Sequence, residues 1–368
     1  MAGKASRHII TVVLLFLIVA GLAYWVRSRR VAPEYAQAYV VDSSSIVWNS
    51  NAQVRQALAT LHYGDRVNIV RHSGDRTQVL TDAGVRGWID ETDLMEANLW
   101  QQAAALLIRA RQMPVQSRGH TRTISNVRLS SGRDGTRIFQ LGRNEPVAVL
   151  ERTTGVIPSS GSATQGEATS GEANLPKRED WLYILRLPHA ETPAMPASAE
   201  APAGTAAVQT PNVTVAGWVL SRFVELDPPP PIPDYFSASN LRVVAWALIS
   251  SVADGDEMKP QYIVAGTQGG EGQPCDFTLL RFYTWGAKRQ RYETAFVEKD
   301  ICGKLPLQVS AKPAEQEFRF TDPSQNGAER VYRVRQTSVR RVNQSENQPA
   351  SAHPVKQSAT PPRRTKRR

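Results

Sequence analysis

Two stretches of this 368-residue chain repeat one pattern of short apolar runs, and that repetition limits the fold more than any single motif does. Residues 36–95 carry Val67-Asn68-Ile69-Val70, Thr77-Gln78-Val79-Leu80 and Gly87-Trp88-Ile89, parted by Gly74-Asp75 and Asp82-Ala83-Gly84. Runs this short between turn formers suit the strands of a small barrel or sandwich. Residues 119–227 repeat the order with two interruptions, 153–177 rich in Gly, Ser, Thr and Ala, and 188–213 rich in Ala, Pro and Thr. Neither offers enough apolar surface to offset its ordering entropy, so both are expected to be mobile insertions. With them removed, strands at 146–152, 181–187 and 216–219 follow one another closely.

Between the repeats, residues 96–113 read as a helical linker. Leu99, Ala103, Leu106, Ala110 and Met113 recur at helical spacing until Pro114, and Asp93 with Glu96 has the form of a capping box. Residues 228–233, with four consecutive prolines, read as a semi-rigid spacer. Residues 234–343 then form a β-rich unit of about six to eight strands by their alternation, clearest in Glu317-Phe318-Arg319-Phe320 and Val331-Tyr332-Arg333-Val334. Within it lie the two cysteines of the chain, Cys275 and Cys302. The midpoint between them falls inside Gly286-Ala287-Lys288-Arg289, which separates two strand-like runs. A hairpin closing there brings the cysteines opposite each other, as a cross-strand disulfide requires. The alternative is a pair of buried thiols.

Residues 9–26 hold no charge and are flanked by Lys4 and Arg7 before, and by Arg27, Arg29 and Arg30 after. As a helix they would cover roughly 27 Å, close to the hydrocarbon thickness of a bilayer. Gly21-Leu22-Ala23 would also suit signal-peptide cleavage. Tyr24-Trp25 and the arginines beyond favour a retained anchor over residues 1–30. The flanking charges nearly balance and leave the orientation open. The net charge of +10 resides in the two ends: residues 31–339 carry 31 basic and 33 acidic groups. A near-neutral body does not point to nucleic acid. Residues 344–368, ending Arg363-Arg364-Thr365-Lys366-Arg367-Arg368, read as a basic disordered tail.

The two repeated blocks resemble bacterial SH3-like domains. In the second, the carrying residues are Asn126-Val127-Arg128 before Ser130-Ser131-Gly132, Phe139-Gln140-Leu141-Gly142 before Val147-Ala148-Val149, Asp180-Trp181-Leu182-Tyr183-Ile184, and Gly217-Trp218-Val219. The first keeps Leu61-His62-Tyr63-Gly64-Asp65 and Val85-Arg86-Gly87-Trp88-Ile89-Asp90. It has Ser45-Ile46-Val47-Trp48-Asn49 where the family has Asn-Val-Arg, and Thr77-Gln78-Val79 where the family has a tryptophan, so it is a degenerate copy. The resemblance implies compact five-stranded barrels. Glycine would allow a tight turn, and Trp88 and Trp218 after it would fill the cores. Trp181 either fills a core too or, with Tyr183, faces a ligand groove. The third unit resembles, more loosely, a C-terminal region that accompanies such paired repeats in bacterial envelope proteins. That likeness lies in Arg281-Phe282-Tyr283-Thr284-Trp285 and Gly303-Lys304-Leu305-Pro306.

Such repeats often accompany cell-wall peptidases, which makes catalysis the next question. A cysteine peptidase needs a histidine downstream of its nucleophile in a folded domain. The only one after Cys275 and Cys302 is His353, in the tail. The other five histidines, His8, His62, His72, His120 and His189, are scattered, so no zinc-ligand set is indicated. No phosphate-cradling glycine loop occurs either. The sequence thus predicts a mainly β protein: two small SH3-like barrels plus a C-terminal β-rich domain, after one N-terminal transmembrane helix. It predicts no catalytic, cofactor-binding or metal-binding residue. The expected role is that of a non-catalytic protein of the bacterial inner membrane, its body in the periplasm, binding peptide or peptidoglycan. The alternatives are a scaffold for another membrane protein, and a cytoplasm-facing protein whose basic tail meets nucleic acid or anionic lipid.

Overall fold

Period-two alternation becomes strand through most of the chain. In Gln316–Asp322 the side chains of Phe318 and Phe320 turn inward and Arg319 outward; in Arg76–Thr81, Thr77, Val79 and Thr81 turn inward. The computed structural model describes residues 35–158, 176–187, 213–230, 232–237, 241–310 and 316–342. It is mainly β, with two helices and three seven-stranded sheets among the described residues. The chain divides into two units, one formed by residues up to Gln102 and the other by those from Ala103 onward, apart from 206–213. Residues 9–26 and 344–368 lie outside the described residues. Among those described, no helix is long and apolar enough to cross a membrane.

The first unit holds β1 (Ala36–Val40), β2 (Ser44–Trp48), β3 (Ala57–His62), β4 (Arg66–Ser73), β5 (Arg76–Thr81), β6 (Arg86–Asp90) and β7 (Leu94–Glu96). They form an antiparallel sheet in the order β3-β2-β6-β5-β4-β1-β7 around Ala38, Val40, Val47, Val67, Val79 and Ile89. The capping box expected at Asp93 and Glu96 is not formed. Asp93 closes a 3₁₀ turn, Glu91–Asp93, and Glu96 lies in β7, paired with Ala38 of β1. Burial of Met95 in that ladder outweighs the local helix signal, so helix α1 begins only afterwards, at Ala97–Gln112. Within the first unit, Trp100 of this helix stacks on Tyr39 with ring centroids 4.8 Å apart.

In the second unit β8 (Ser117–Thr121), β9 (Ser125–Arg128), β10 (Arg137–Leu141), β11 (Pro146–Val156), β12 (Arg178–Arg186), β13 (Ala216–Leu220) and β14 (Val224–Leu226) form a second antiparallel sheet. Its order, β10-β9-β13-β12-β11-β8-β14, reproduces that of the first strand for strand, and a 3₁₀ turn, Ser221–Phe223, again precedes the last strand. Five strands lie between Ser125 and Leu220, and β8 and β14 extend the sheet to seven. The insertion expected from residue 153 starts later than its composition implied. Residues 153–156 pair with 178–181, and the Ile157 N–H donates to the Lys177 carbonyl.

Register aligns the repeats residue by residue. Gln78 pairs with Trp88 in the first sheet, and Tyr183 with Trp218 in the second. The glycines before those tryptophans do not make turns; both lie inside strands. A Cβ on Gly87 would come within 2.5 Å of Val47 Cγ1 and 2.6 Å of the Trp48 carbonyl. On Gly217 it would come within 2.6 Å of Val127 Cγ1 and 2.7 Å of the Arg128 carbonyl. The missing side chain lets one strand cross closely over another, twice, at equivalent places.

The rest of the second unit is helix α2 (Ile232–Ser237) and a meander of β15 (Arg242–Asp254), β16 (Glu257–Thr267), β17 (Phe277–Gly286), β18 (Arg291–Val309), β19 (Gln316–Asp322), β20 (Ala328–Arg335) and β21 (Ser338–Arg341), in sequence order. Phe277, Leu280, Phe282, Phe318, Phe320 and Tyr332 lead its core. The spacer expected over 228–233 is cut short, because Ile232 opens α2 and, with Phe236, packs on Leu279 and Tyr283. The runs around 291–297 and 305–310 merge into the single strand β18, which continues through a cis Leu305–Pro306 bond.

Candidate functional site

Trp181 and Tyr183, the residues read as a possible groove, point into the second unit's core from β12. Their exposures are 1% and 0%. The Tyr183 ring lies 5.2 Å from that of Trp218, and Leu106, Leu107 and Ala110 of α1 pack over the cluster. The Tyr183 hydroxyl donates to the Leu106 carbonyl, and burial pushes its pKa up to about 12. Helix docking closes the place where a ligand would lie, so these aromatics hold structure rather than present a surface.

Cys275 and Cys302 are joined in a disulfide with Cα atoms 4.9 Å apart. It fixes two segments that together build a socket for Asp276. The Asp276 N–H donates to the Gly303 carbonyl, the Leu305 N–H donates to Asp276 Oδ2 at 2.8 Å, and Lys304 Nζ donates to Oδ1 at 3.0 Å. Into this socket reaches Arg152 of β11. Its Nη1 donates to Asp276 Oδ1 at 2.7 Å and to the Cys275 carbonyl; its Nη2 donates to Asp180 Oδ1 at 2.5 Å and to the Gln273 carbonyl. Asp180 Oδ1 also accepts from the Gly272 N–H at 2.7 Å. Both carboxylates are fully buried and the arginine side chain nearly so. Burial disfavours the guanidinium charge, but hydrogen bonds and charge from Asp180 and Asp276 outweigh it and raise the Arg152 pKa. The hydrogen bonds to Arg152 Nη1 and Nη2, Asp180 Oδ1 and both Asp276 oxygens offset the desolvation of these charges. Arg152 Nε and Asp180 Oδ2 are buried without a hydrogen bond among the described residues, the latter with Arg242 at 3.8 Å.

Beside the knot a cleft of about 460 Å³ opens between the second sheet and the β15–β21 meander. One wall is apolar, with Leu182, Val224, Phe236, Val244 and Leu305. The charged groups that line the cleft are Arg122, Arg152, Arg222, Arg242, Glu225 and Glu271. Arg122 pairs with Glu225 at 3.3 Å, and Arg222 donates to the buried Glu179, which Arg133 also holds. These contacts, the Arg133 hydrogen bond foremost, lower the Glu179 pKa despite its burial. A concave site with an apolar wall and a few converging charges can hold a small polar-ended ligand.

Arg152, Asp276 and Arg242 did not stand out in the sequence, and Asp180 entered only as part of the Trp181 strand motif. The one signal was charge set into strand-like apolar runs: Asp180 just before Trp181, and Asp276 just after Cys275. No local rule joins Arg152 to a carboxylate 124 positions away. Among the described residues, no three His, Cys, Asp or Glu side chains are grouped to hold a metal ion.

No family model and no curated protein matches the chain. Among solved structures it is similar to an NlpC/P60 family protein from Bacillus cereus ATCC 10987, at 12% identity over 56% of this chain and 62% of that one, with a TM-score of 0.20. NlpC2 from Trichomonas vaginalis is 9% identical over 72% of this chain and 97% of its own, with a TM-score of 0.16. NlpC1 from the same organism is 9% identical over 74% and 95%, with a TM-score of 0.17.

Proposed function

We propose that this chain is a non-catalytic bacterial envelope protein, held in the inner membrane by residues 9–26 with its body in the periplasm. In this reading its first two sheets are SH3-like barrels, and the second barrel, with the meander beside it, binds peptide or peptidoglycan. The observation that carries the reading is the strand order shared by the two sheets, with a 3₁₀ turn before the last strand in each. The cleft beside the second sheet supports a binding role, since its charges and apolar wall suit a short peptide with ionised ends. The disulfide supports an oxidising compartment. With both thiols joined in it, neither cysteine is available as a peptidase nucleophile while the bond is intact.

The test is sedimentation of the detergent-solubilised full chain with purified peptidoglycan sacculi. Protein is expected in the pellet and is expected to be released by soluble peptidoglycan fragments. A chain that stays wholly in the supernatant overturns the wall-binding reading. A C-terminal reporter active only outside the cytoplasm tests the topology, and an inactive reporter overturns the periplasmic placement.

A further inference from the structure

Resting on the reading that the cleft binds peptide, we infer that it takes its ligand by a free carboxylate, with Arg242 as the anchoring cation. The cleft arginines differ in how far their charge is already used. Arg152 is buried and bonded to two carboxylates and two carbonyls. Arg222 donates to Glu179, and Arg122 pairs with Glu225. Arg242 is the exception. Its side chain is 47% exposed, it lines the cleft, and its ionic neighbour among the described residues is Asp180 Oδ2 at 3.8 Å, beyond hydrogen-bond reach. Asp180 is itself committed through Oδ1 to Arg152 and to the Gly272 N–H.

A guanidinium with an unused donor fork matches an incoming carboxylate with two parallel hydrogen bonds, which an amide or hydroxyl cannot supply. The apolar groups nearest in sequence, Leu241, Val243 and Val244, line the same cleft together with Leu305. A small aliphatic side chain next to the carboxylate therefore has a surface to lie on. Glu271, 36% exposed and 3.9 Å from Arg222, beyond hydrogen-bond reach, provides negative charge for a cationic group further along the ligand. The ligand class is thus a short peptide with a small apolar C-terminal residue, a free C-terminus and a basic side chain upstream.

The probe is N-acetyl-Lys-D-Ala-D-Ala, as the free acid and as the C-terminal amide, titrated calorimetrically into the full chain. The acid is expected to bind at least about tenfold more tightly than the amide. Arg242→Gln is expected to abolish that difference, and Arg242→Lys to restore part of it, with unchanged thermal unfolding showing both variants folded. Equal affinity for acid and amide overturns the inference, as does discrimination that survives in Arg242→Gln. So does failure of either peptide to bind while the chain still pellets with sacculi, an outcome that leaves the wall-binding reading standing. Failure of both peptide binding and pelleting overturns the two together.

Discussion

Replacing Arg152 by methionine keeps most of the side-chain volume and removes the charge on which the second unit's buried knot depends. Asp180 and Asp276, both fully buried, then lose their shared cation. Removing one partner of a buried ion pair costs about 3–5 kcal/mol, because the remaining charge is left uncompensated. Asp276 keeps Lys304 and the Leu305 N–H, and Asp180 keeps the Gly272 N–H with Arg242 at 3.8 Å. The cost should therefore fall near the lower end, about 3 kcal/mol. For a unit of this size that lowers Tm by about 6–12 °C, to be read by scanning calorimetry. Combining Arg152→Met with Asp180→Asn removes one stranded charge, so the double variant should be more stable than the sum of the single effects by about 1–2 kcal/mol. A loss below about 1 kcal/mol, or strict additivity, would refute the argument that this network is a coupled clamp.

The repeated glycines give a second expectation. Gly87→Ala and Gly217→Ala each drive a Cβ against a carbonyl oxygen that cannot swing aside, and should each cost about 3 kcal/mol in chemical denaturation. An alanine tolerated at either place would contradict the close strand crossing. In the first unit, burial, and next the neighbouring Asp42, push the Asp93 pKa up to about 6 from 3.8. Because the folded value is the higher one, the stabilising contribution of the protonated group is complete below pH 3.8 and is lost as pH rises through 6. Asp93→Asn should therefore stabilise that unit by about 1–2 kcal/mol at pH 8 and hardly at all at pH 3.5. A gain independent of pH would count against this. Replacing Cys275 and Cys302 together by alanine opens a loop of 27 residues and should cost about 3.5 kcal/mol on the chain-entropy account. Amide exchange should then accelerate first at Gly272 and Asp276, and unchanged protection there would uncouple the disulfide from the Arg152 socket.

The repeat could be read because alternation, turn residues and the Gly-Trp pairs are all local signals. The disulfide could be read because a hairpin makes a sequence midpoint into a spatial one. Other features depend on contacts far apart in the chain. Trp181 and Tyr183 admitted two readings, core filling or a ligand groove, because a strand aromatic suits either. Docking of Leu106 and Ala110 of α1 decides the matter, and no local pattern in β12 announces it. The false capping box at Asp93 failed for a related reason, since Leu94 and Met95 satisfy a strand as readily as a helix start, and pairing with β1 selects the strand. The cleft could not be foreseen at all, because its walls come from both the second sheet and the meander.

In each of the two related sheets the first and last strands lie side by side. Ala38 pairs with Glu96 in one, and Gly119 pairs with Leu226 in the other. The polypeptide therefore arrives and departs at the same seam, as beads do on a string. A module built this way can be duplicated in tandem without disturbing its interior ladders. It is also suited to circular permutation: the seam at Gly119 and Leu226 can be bridged by a short peptide and new ends opened within 129–136, between β9 and β10, without severing either strand.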